Sequence, residues 1–190
     1  MIKKFLSAIL LFATSTVIQA YAVMPGLFND TAINKIDAEK NAYIHNNRGL
    51  MYMQEGFYYG AIKEFKLAIE LNPNKQSTAV YFANLGRVYL KIGYPNLAQE
   101  CFERSIEQNP MDFSTYQNLA TSYKRQNLLN SKLQSYKKSK NPLSKIMVGI
   151  LLVETGQRVN GLTVLDEFCY DEPDLIITNA VKNYIQEHTR

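Results

Sequence analysis

The sequence predicts an all-α protein, a solenoid of helix-turn-helix repeats closed by a C-terminal capping helix. The first observation behind this prediction is an internal repeat, in which small, aromatic and proline residues recur 37 positions later. Gly49, Tyr52, Ala61, Phe65, Ala68 and Pro73 reappear as Gly86, Tyr89, Ala98, Phe102, Ser105 and Pro110. The second observation is a glycine seven residues after each first glycine, at Gly56 and Gly93, which suits the left-handed conformation that ends a helix. A unit of this length cannot bury its apolar face alone, so neighbouring copies stack.

The recurring pattern resembles the tetratricopeptide repeat family, whose repeats run through a small residue, aromatics, alanine and proline. Two segments carry the resemblance, NNRGLMYMQEGFYYGAIKEFKLAIELNP and ANLGRVYLKIGYPNLAQECFERSIEQNP. The resemblance implies a right-handed superhelical solenoid whose first helices line a concave groove. In this family such a groove binds a protein or peptide.

Each recurring residue has a structural task in the first two repeats. Glycine costs about 1 kcal/mol relative to alanine inside a helix, so Gly49 and Gly86 predict close approach of a partner helix. We expect Ala61 and Ala98 to face them. The rings at Phe65, Phe102, Tyr52 and Tyr89 fill the space between helices. Pro73 and Pro110 end the second helices, because proline cannot donate a backbone hydrogen bond.

Two weaker copies follow. The third places Ala120, Tyr123, Asn127 and Tyr136 in the corresponding slots, after Leu119. Lys132 replaces its small residue and Pro142 arrives early, which predicts a shortened or distorted second helix. The fourth, which lacks the aromatics, aligns Gly149, Gly156, Gly161, Leu165 and Pro173.

The expected boundaries are residues 37–73, 74–110, 111–142 and 143–173 for repeats one to four, and 174–190 for the capping helix. Asp174 can cap that final helix. Its apolar face is predicted to comprise Leu175, Ile176, Ala180, Val181, Tyr184 and Ile185. Stacked repeats need an end with a polar outer side, which Lys182, Gln186 and Glu187 would form.

The chain begins with a different kind of segment. Lys3 and Lys4 precede an apolar run over residues 5–18, and Ala20-Tyr21-Ala22 has the small-x-small form of a signal peptidase site. Residues 1–22 are therefore expected to be a signal peptide cleaved after Ala22, which predicts a periplasmic or secreted protein without stable membrane insertion after cleavage. A buried helix or a membrane anchor is the alternative. Residues 23–36 are expected to be a mobile leader.

Charge is unevenly distributed along the mature chain. Removing residues 1–22 removes two lysines and lowers the formal charge from +4 to +2. No acid occurs between Asp112 and Glu154, where Lys124, Arg125, Lys132, Lys137, Lys138, Lys140 and Lys145 are all basic. This stretch is either a solvated face or a surface that attracts an anionic partner, whether an acidic peptide or an envelope polymer.

The sequence shows no constellation typical of an enzyme. His45 and His188 lie at opposite ends of the repeats, and neither has a cysteine or carboxylate at metal-ligand spacing. We find no phosphate-binding loop and no nucleophile elbow. We therefore expect no catalytic residue, metal or cofactor, and a packing role for His45. Nucleic acid is not an expected partner, because Tyr123 and Tyr136 occupy interhelical slots and are not available for base stacking.

The two cysteines would lie in an oxidising compartment after export. Cys101 and Cys169 fall in second helices two repeats apart, farther than a disulfide can span. We expect two separate, mostly buried thiols.

The resemblance assigns groove positions three residues before and one, four and five residues after each small residue. In this chain these positions are Asn46, Leu50, Met53, Gln54, Ala83, Arg87, Leu90, Lys91, Gln117, Thr121, Lys124 and Arg125. Such a groove is increasingly basic through repeats two and three and suits a peptide with acidic groups. The carboxylate clamp of some family members is not reproduced, since only Asn84 matches it.

The predicted function is that of an exported adaptor that holds a protein or peptide in its groove without catalysis. The alternative is binding of an anionic envelope component through the basic face of repeat three.

Overall fold

The structure is a computed structural model that describes residues 30–71 and 74–189. The expected signal peptide, residues 23–29 of the expected leader and Pro73 lie outside these residues. The chain divides into two compact units, Met1–Asp37 and Ala38–Arg190, and the description below concerns the second unit apart from the start of the first helix.

The described residues form helices and contain no strand, which confirms the predicted all-α fold. The first repeat comprises α1 and α2, the second α3 and α4, the third α5 and α6, and the fourth α7 and α8, followed by α9. Their bounds are α1 Asp30–Gln54, α2 Tyr58–Leu71, α3 Lys75–Lys91, α4 Pro95–Gln108, α5 Phe113–Arg125, α6 Leu129–Lys137, α7 Ser144–Glu154, α8 Arg158–Asp171 and α9 Ile176–Thr189.

The first helix starts earlier than the sequence predicted. Helix α1 includes Asp30, so residues 30–36 of the expected mobile leader are helical. The second helix of repeat two ends at Gln108, before Pro110, as predicted.

The turn inside each repeat has the left-handed residue that the sequence predicts. Gly56, Gly93 and Gly156 have φ of 82°, 84° and 84°, and Asn127 has φ of 58° in the equivalent position of repeat three. This conformation favours glycine and tolerates asparagine, which explains why only these two residue types occupy the slot in the four repeats.

Helix packing in repeats one and two is built on a ring lying over a glycine. A Cβ atom added at Gly49 would lie 2.7 Å from the Phe65 ring, and one added at Gly86 would lie 2.6 Å from the Phe102 ring. Both rings are fully buried. The nearest neighbours of the glycines are therefore these rings, whereas the sequence analysis expected Ala61 and Ala98.

Repeat three is shortened, as its sequence predicts. Helix α6 has 9 residues, compared with 14 in each of α2, α4 and α8. Ala120 fills the glycine slot, and a polar contact replaces the ring-on-glycine packing: the hydroxyls of Tyr123 and Tyr136 lie 3.2 Å apart. The buried Tyr123 hydroxyl also donates to Glu103 Oε1 at 3.0 Å.

The register of the capping helix differs from the prediction. Ile176 is 81% exposed, and the buried residues of α9 are Ile177, Thr178, Val181 and Tyr184. The helix begins at Ile176. Its apolar face is formed by Ile177, Val181 and Tyr184, which are spaced four and then three residues apart. Lys182, Gln186 and Glu187 are exposed, as predicted for its outer side.

Both cysteines are free and buried, which confirms the sequence prediction. Burial raises the pKa of the Cys101 thiol to about 12. The thiol therefore stays protonated at neutral pH and is a poor nucleophile.

Candidate groove of repeats one to three

The candidate binding surface is the exposed side of the first helices α1, α3 and α5. Of the twelve predicted groove residues, six are exposed and three are half-buried. The exposed residues are Gln54, Arg87, Lys91, Gln117, Lys124 and Arg125, and the half-buried residues are Leu50, Met53 and Thr121.

Three predicted groove residues are buried and offer no contact surface: Asn46, Ala83 and Leu90. Asn46 is enclosed because its Oδ1 accepts a hydrogen bond from Asn84 Nδ2 at 2.7 Å, across the boundary between repeats one and two.

Arg87 is held in place by this buried amide pair. Its Nη2 atom donates to Asn84 Oδ1, so the guanidinium is anchored at one corner while the side chain remains exposed. An arginine held this way loses less side-chain entropy when it binds a ligand. The contact therefore fixes the orientation of the Arg87 guanidinium.

A second arginine reaches the same region from repeat three. Arg125 Nη1 donates to the backbone carbonyl of Leu90, the residue before Lys91. Arg87, Lys91 and Arg125 thus gather near the C-terminal end of α3, and we call them the basic cluster. None of the three is ion-paired with a carboxylate among the described residues.

Lys124 does not belong to this cluster, because its charge is compensated. Its Nζ atom lies 2.9 Å from Glu154 Oε2 in repeat four. The groove is consequently less basic at Lys124 than its sequence suggests. Lys91 and Arg125 lie in the last turns of their helices, where cations also interact favourably with the helix dipole.

The capping helix ends the groove at repeat four. Residues 146–152 of α7 are all buried, whereas α3 and α5 keep exposed side chains on their groove sides. Helix α9 contacts both α8 and α5, and the Tyr184 ring packs edge-on against Phe113 with centroids 5.4 Å apart. The groove is therefore open along repeats one to three and walled by α9.

A cavity of about 450 Å³ lies where α9 meets α5. Its lining includes Phe113, Gln117, Ala180, Tyr184 and Glu187. An adjoining cavity of about 560 Å³ shares Met111, Asp112 and Ile176 with it. Away from the basic cluster, the groove thus ends in a cleft of mixed apolar, amide and carboxylate lining that contains the predicted groove residue Gln117.

The sequence analysis missed two groove candidates that a simple signal could have found. Asparagine stands two residues before the small residue in three successive repeats, at Asn47, Asn84 and Asn118. Asn84 is buried, Asn47 is exposed and Asn118 is half-buried. The clamp pattern includes Asn84 alone, whereas the recurrence of asparagine in three successive repeats indicates all three positions.

The sequence analysis also missed an apolar cavity of about 340 Å³ between the second helices α2 and α4. Phe82, Leu85, Tyr89 and Cys101 are part of its lining, and the Arg104 guanidinium lies 5.7 Å from the Phe82 ring centroid. Helix α3 also contributes to this cavity through Phe82, Leu85 and Tyr89, none of which is a predicted groove residue.

Three further findings concern metal binding, histidine contacts and membrane-spanning helices in the described part of the chain. No group of three or more histidine, cysteine, aspartate or glutamate side chains is arranged to hold a metal ion. His45 Nδ1 lies 2.7 Å from Glu64 Oε2, an interaction between α1 and α2. Of the helices described, none combines the length and apolarity needed to traverse a bilayer.

Comparison with known proteins finds similarity over the first two repeats. The sequence profile described as tetratricopeptide repeat matches residues 41–111. The chain is 28% identical over 89 residues to the Photosystem I assembly protein Ycf3 of Prochlorococcus marinus strain MIT 9301, covering 47% of this chain and 51% of that protein. Ycf3 of Synechococcus sp. strain CC9605 is 26% identical over 86 residues, 45% and 50% of the two chains. The chain thus spans about half the length of these relatives.

A solved structure titled as a functional characterisation of Pseudomonas aeruginosa pilF covers 76% of this chain and 67% of its own, with 20% identity and a TM-score of 0.50. This likeness concerns the fold alone. The repeat pattern and the helix pairs of the first two repeats agree with the match of the tetratricopeptide repeat profile to residues 41–111.

Proposed function

We propose that this chain is an exported adaptor that holds an acidic segment of a protein partner in the groove of repeats one to three, without catalysis. Repeats of this family serve protein–protein interaction, which is the general part of the proposal. The observation that carries the specific part is the basic cluster. Arg87, Lys91 and Arg125 gather at one end of an open groove and lack carboxylate partners among the described residues.

The groove favours one orientation of the bound segment, with its acidic residues at the basic cluster and its apolar residues at the cleft between α5 and α9. Carboxylates fit the basic cluster, where Arg87 is already oriented by Asn84. Apolar side chains fit beside Phe113, Ala180 and Tyr184 in the cleft between α5 and α9. The carboxylates of Asp112 and Glu187 in the same lining disfavour an acidic group there. The relatives named as assembly proteins are consistent with an adaptor that brings other proteins together.

Export rests on the N-terminal sequence. Lysines followed by a short apolar run and a small-x-small site support a signal peptide, hence a periplasmic or secreted adaptor. The location can be tested by N-terminal sequencing of the purified chain: a start at Val23 supports export, and an intact residue 1 contradicts cleavage.

A second candidate function has one specific observation in its favour. In the basic stretch, Lys132 lies 3.7 Å from Glu103 and Lys145 lies 2.6 Å from Asp171. Lys137, Lys138 and Lys140 are exposed and have no ion pair among the described residues. This patch suits an anionic envelope component.

Paired charge reversals separate the two candidates. Arg87→Glu with Lys91→Glu should abolish capture of a protein partner from an envelope extract, because carboxylates would then face carboxylates. If the first candidate is correct, Lys137→Glu, Lys138→Glu and Lys140→Glu together should leave this capture intact. If the second candidate is correct, the same triple variant should abolish binding of the anionic envelope component. Lys63→Glu with Lys182→Glu, two exposed residues outside both surfaces, is the matched control. If no variant alters capture, both site proposals are wrong.

A further inference from the structure

The N-terminal edge of the solenoid carries an exposed stripe on one side of α1. Its members are spaced three or four residues apart and lie within about 80° of arc around the helix. We call them the edge stripe: Lys40, Ile44, Arg48, Met51 and Glu55, all exposed. Glu55 continues the helical turn, since its N–H donates to the Met51 carbonyl at 3.0 Å.

The same positions are covered in the following repeats. In repeat two they are Tyr81, Leu85 and Val88, which are buried. Tyr81 packs with Ala42 and Ala68 of the preceding repeat, and Leu85 and Val88 pack in a cluster with its Phe65 and Ala61. This face of a first helix is therefore where a preceding repeat normally packs.

Repeat three buries the equivalent residues too, at Thr115, Leu119 and Ser122. In repeat one the equivalents are Ile44 and Met51, 36% and 46% exposed, with Arg48 between them. Of the three stripe positions whose equivalents are buried in the later repeats, two are thus apolar, although no described residue covers them.

The two ends of the solenoid differ in this respect. The C-terminal end is closed by α9, whose outer side presents Lys182, Gln186 and Glu187. A polar outer side is what keeps the end of a repeat array from associating. The N-terminal edge lacks such a cap among the described residues.

We propose that the edge stripe is a dimer interface that binds the edge stripe of a second copy of this chain. A two-fold axis between Asn47 and Arg48 makes the two α1 helices antiparallel. Ile44 then faces Met51 of the second copy, and Lys40 faces Glu55 of the second copy. Apolar residues meet at the inner positions and opposite charges at the outer ones.

The stripe is self-complementary because of its spacing. Lys40 and Glu55 lie equally far from the axis on opposite sides, and so do Ile44 and Met51. Arg48 lies beside the axis, opposite Asn47 of the second copy. The Asn47 Oδ1 atom accepts a hydrogen bond from Asn46 Nδ2 at 3.4 Å and has a second lone pair for Arg48. A partner without this reversed order of charges would leave Lys40 or Glu55 unpaired.

Sedimentation velocity over a range of concentrations tests the proposal. The purified chain should form a concentration-dependent dimer. Ile44→Lys with Met51→Lys should raise the dimer dissociation constant about tenfold or more, because like charges then face each other. Val159→Lys adds the same kind of charge to an exposed apolar residue of α8, outside both the stripe and the groove, and should leave dimerisation unchanged.

A charge swap tests whether the partner on the edge stripe is a second copy of this chain. Lys40→Glu or Glu55→Lys alone should weaken the dimer, and the two together should restore it. The two positions are about 22 Å apart along one helix, so restoration requires contact between copies. A monomer at every concentration would overturn the proposal. So would lysine variants at Ile44 and Met51 that lower the melting temperature of a monomer, since another part of the same chain would then cover the stripe.

Discussion

The first two repeats and the last two repeats form the same arrangement of paired helices through different contacts. In the first pair, a phenylalanine ring lies on a glycine, with nearly equal distances at Gly49 and Gly86. In repeat three, hydroxyl contacts of Tyr123 and Tyr136 replace this packing. In repeat four, a Cβ added at Gly161 would lie 2.6 Å from the Gly149 carbonyl oxygen.

This difference shows that the slot between paired helices must be filled, but not by one residue type. The family profile ends at residue 111, where the ring-on-glycine pattern also ends. The helix pairs continue beyond it, since Leu165 and close backbone approach fill repeat four. Substitutions in the two halves should therefore have different costs.

The largest effect is expected at the closest backbone approach. A methyl group at Gly161 would meet the Gly149 oxygen at 2.6 Å and the Val153 nitrogen at 2.9 Å, and neither backbone atom can move aside easily. Gly161→Ala should lower the free energy of unfolding by about 3 kcal/mol in urea titrations. Gly60→Ala is the control, because its methyl would meet only the Tyr52 ring, at 3.0 Å. An equal loss in both variants would contradict the packing described for repeat four.

Alkaline pH should weaken the contact between α9 and α5. Burial raises the pKa of Tyr184 to about 12, and the Glu154 charge adds to this shift. Unfolded tyrosine titrates near pH 10, so the unfolded chain loses the proton first as pH rises. The contribution of Tyr184, about 2 kcal/mol, is complete below about pH 10 and is lost as pH rises toward about 12.

Urea unfolding at about pH 9 and about pH 11 measures this loss. Tyr184→Phe should make the decline with pH shallower. An unchanged decline in this variant would show that Tyr184 is not buried against Phe113 as described.

The tyrosine pair of repeat three should contribute less to the free energy of unfolding than the backbone packing of repeat four. Burial raises the pKa of Tyr123 well above its ordinary value, so its hydroxyl stays neutral and donates to Glu103. Tyr123→Phe should cost about 1.5 kcal/mol in unfolding free energy. Tyr89→Phe is the matched control in repeat two, at the equivalent slot, and should cost less. If the two variants cost the same, the polar contact does not distinguish repeat three.

The fold was predictable from the sequence to a large extent because backbone geometry demands particular residues. A left-handed turn residue was expected at Gly56, Gly93 and Asn127, and each has positive φ. Rings and small residues in the first two repeats set the pairing of helices, so the fold class followed.

The groove was less predictable, because exposure depends on neighbours that a position rule does not include. Asn46 is buried through its bond to Asn84, and Lys124 is neutralised by Glu154 from the next repeat. The register of α9 was also missed, because Ile176 and Ile177 are adjacent and equally apolar. Only the position of the helix start distinguishes them.

The smallest expected effect concerns the caps of the first helices. Asp112 accepts from the Ser114 N–H at 3.1 Å, the Ser114 hydroxyl at 2.8 Å and the Thr115 hydroxyl at 2.6 Å. Asp112→Ala should cost about 1 kcal/mol in thermal or urea unfolding. Asn74 accepts from the Ser77 N–H at 2.8 Å, and Asn74→Ala should cost somewhat less. The reverse order would contradict the stronger cap assigned to repeat three.

Site-specific photo-cross-linking tests the proposed groove most directly. A photoreactive residue is placed at Gln54 or Gln117, which are exposed on the groove side, and at Lys63 or Glu107, which are exposed on second helices. The account predicts that a bound protein partner is cross-linked from Gln54 and Gln117 and not from Lys63 or Glu107. Cross-links from the second-helix positions alone would contradict it.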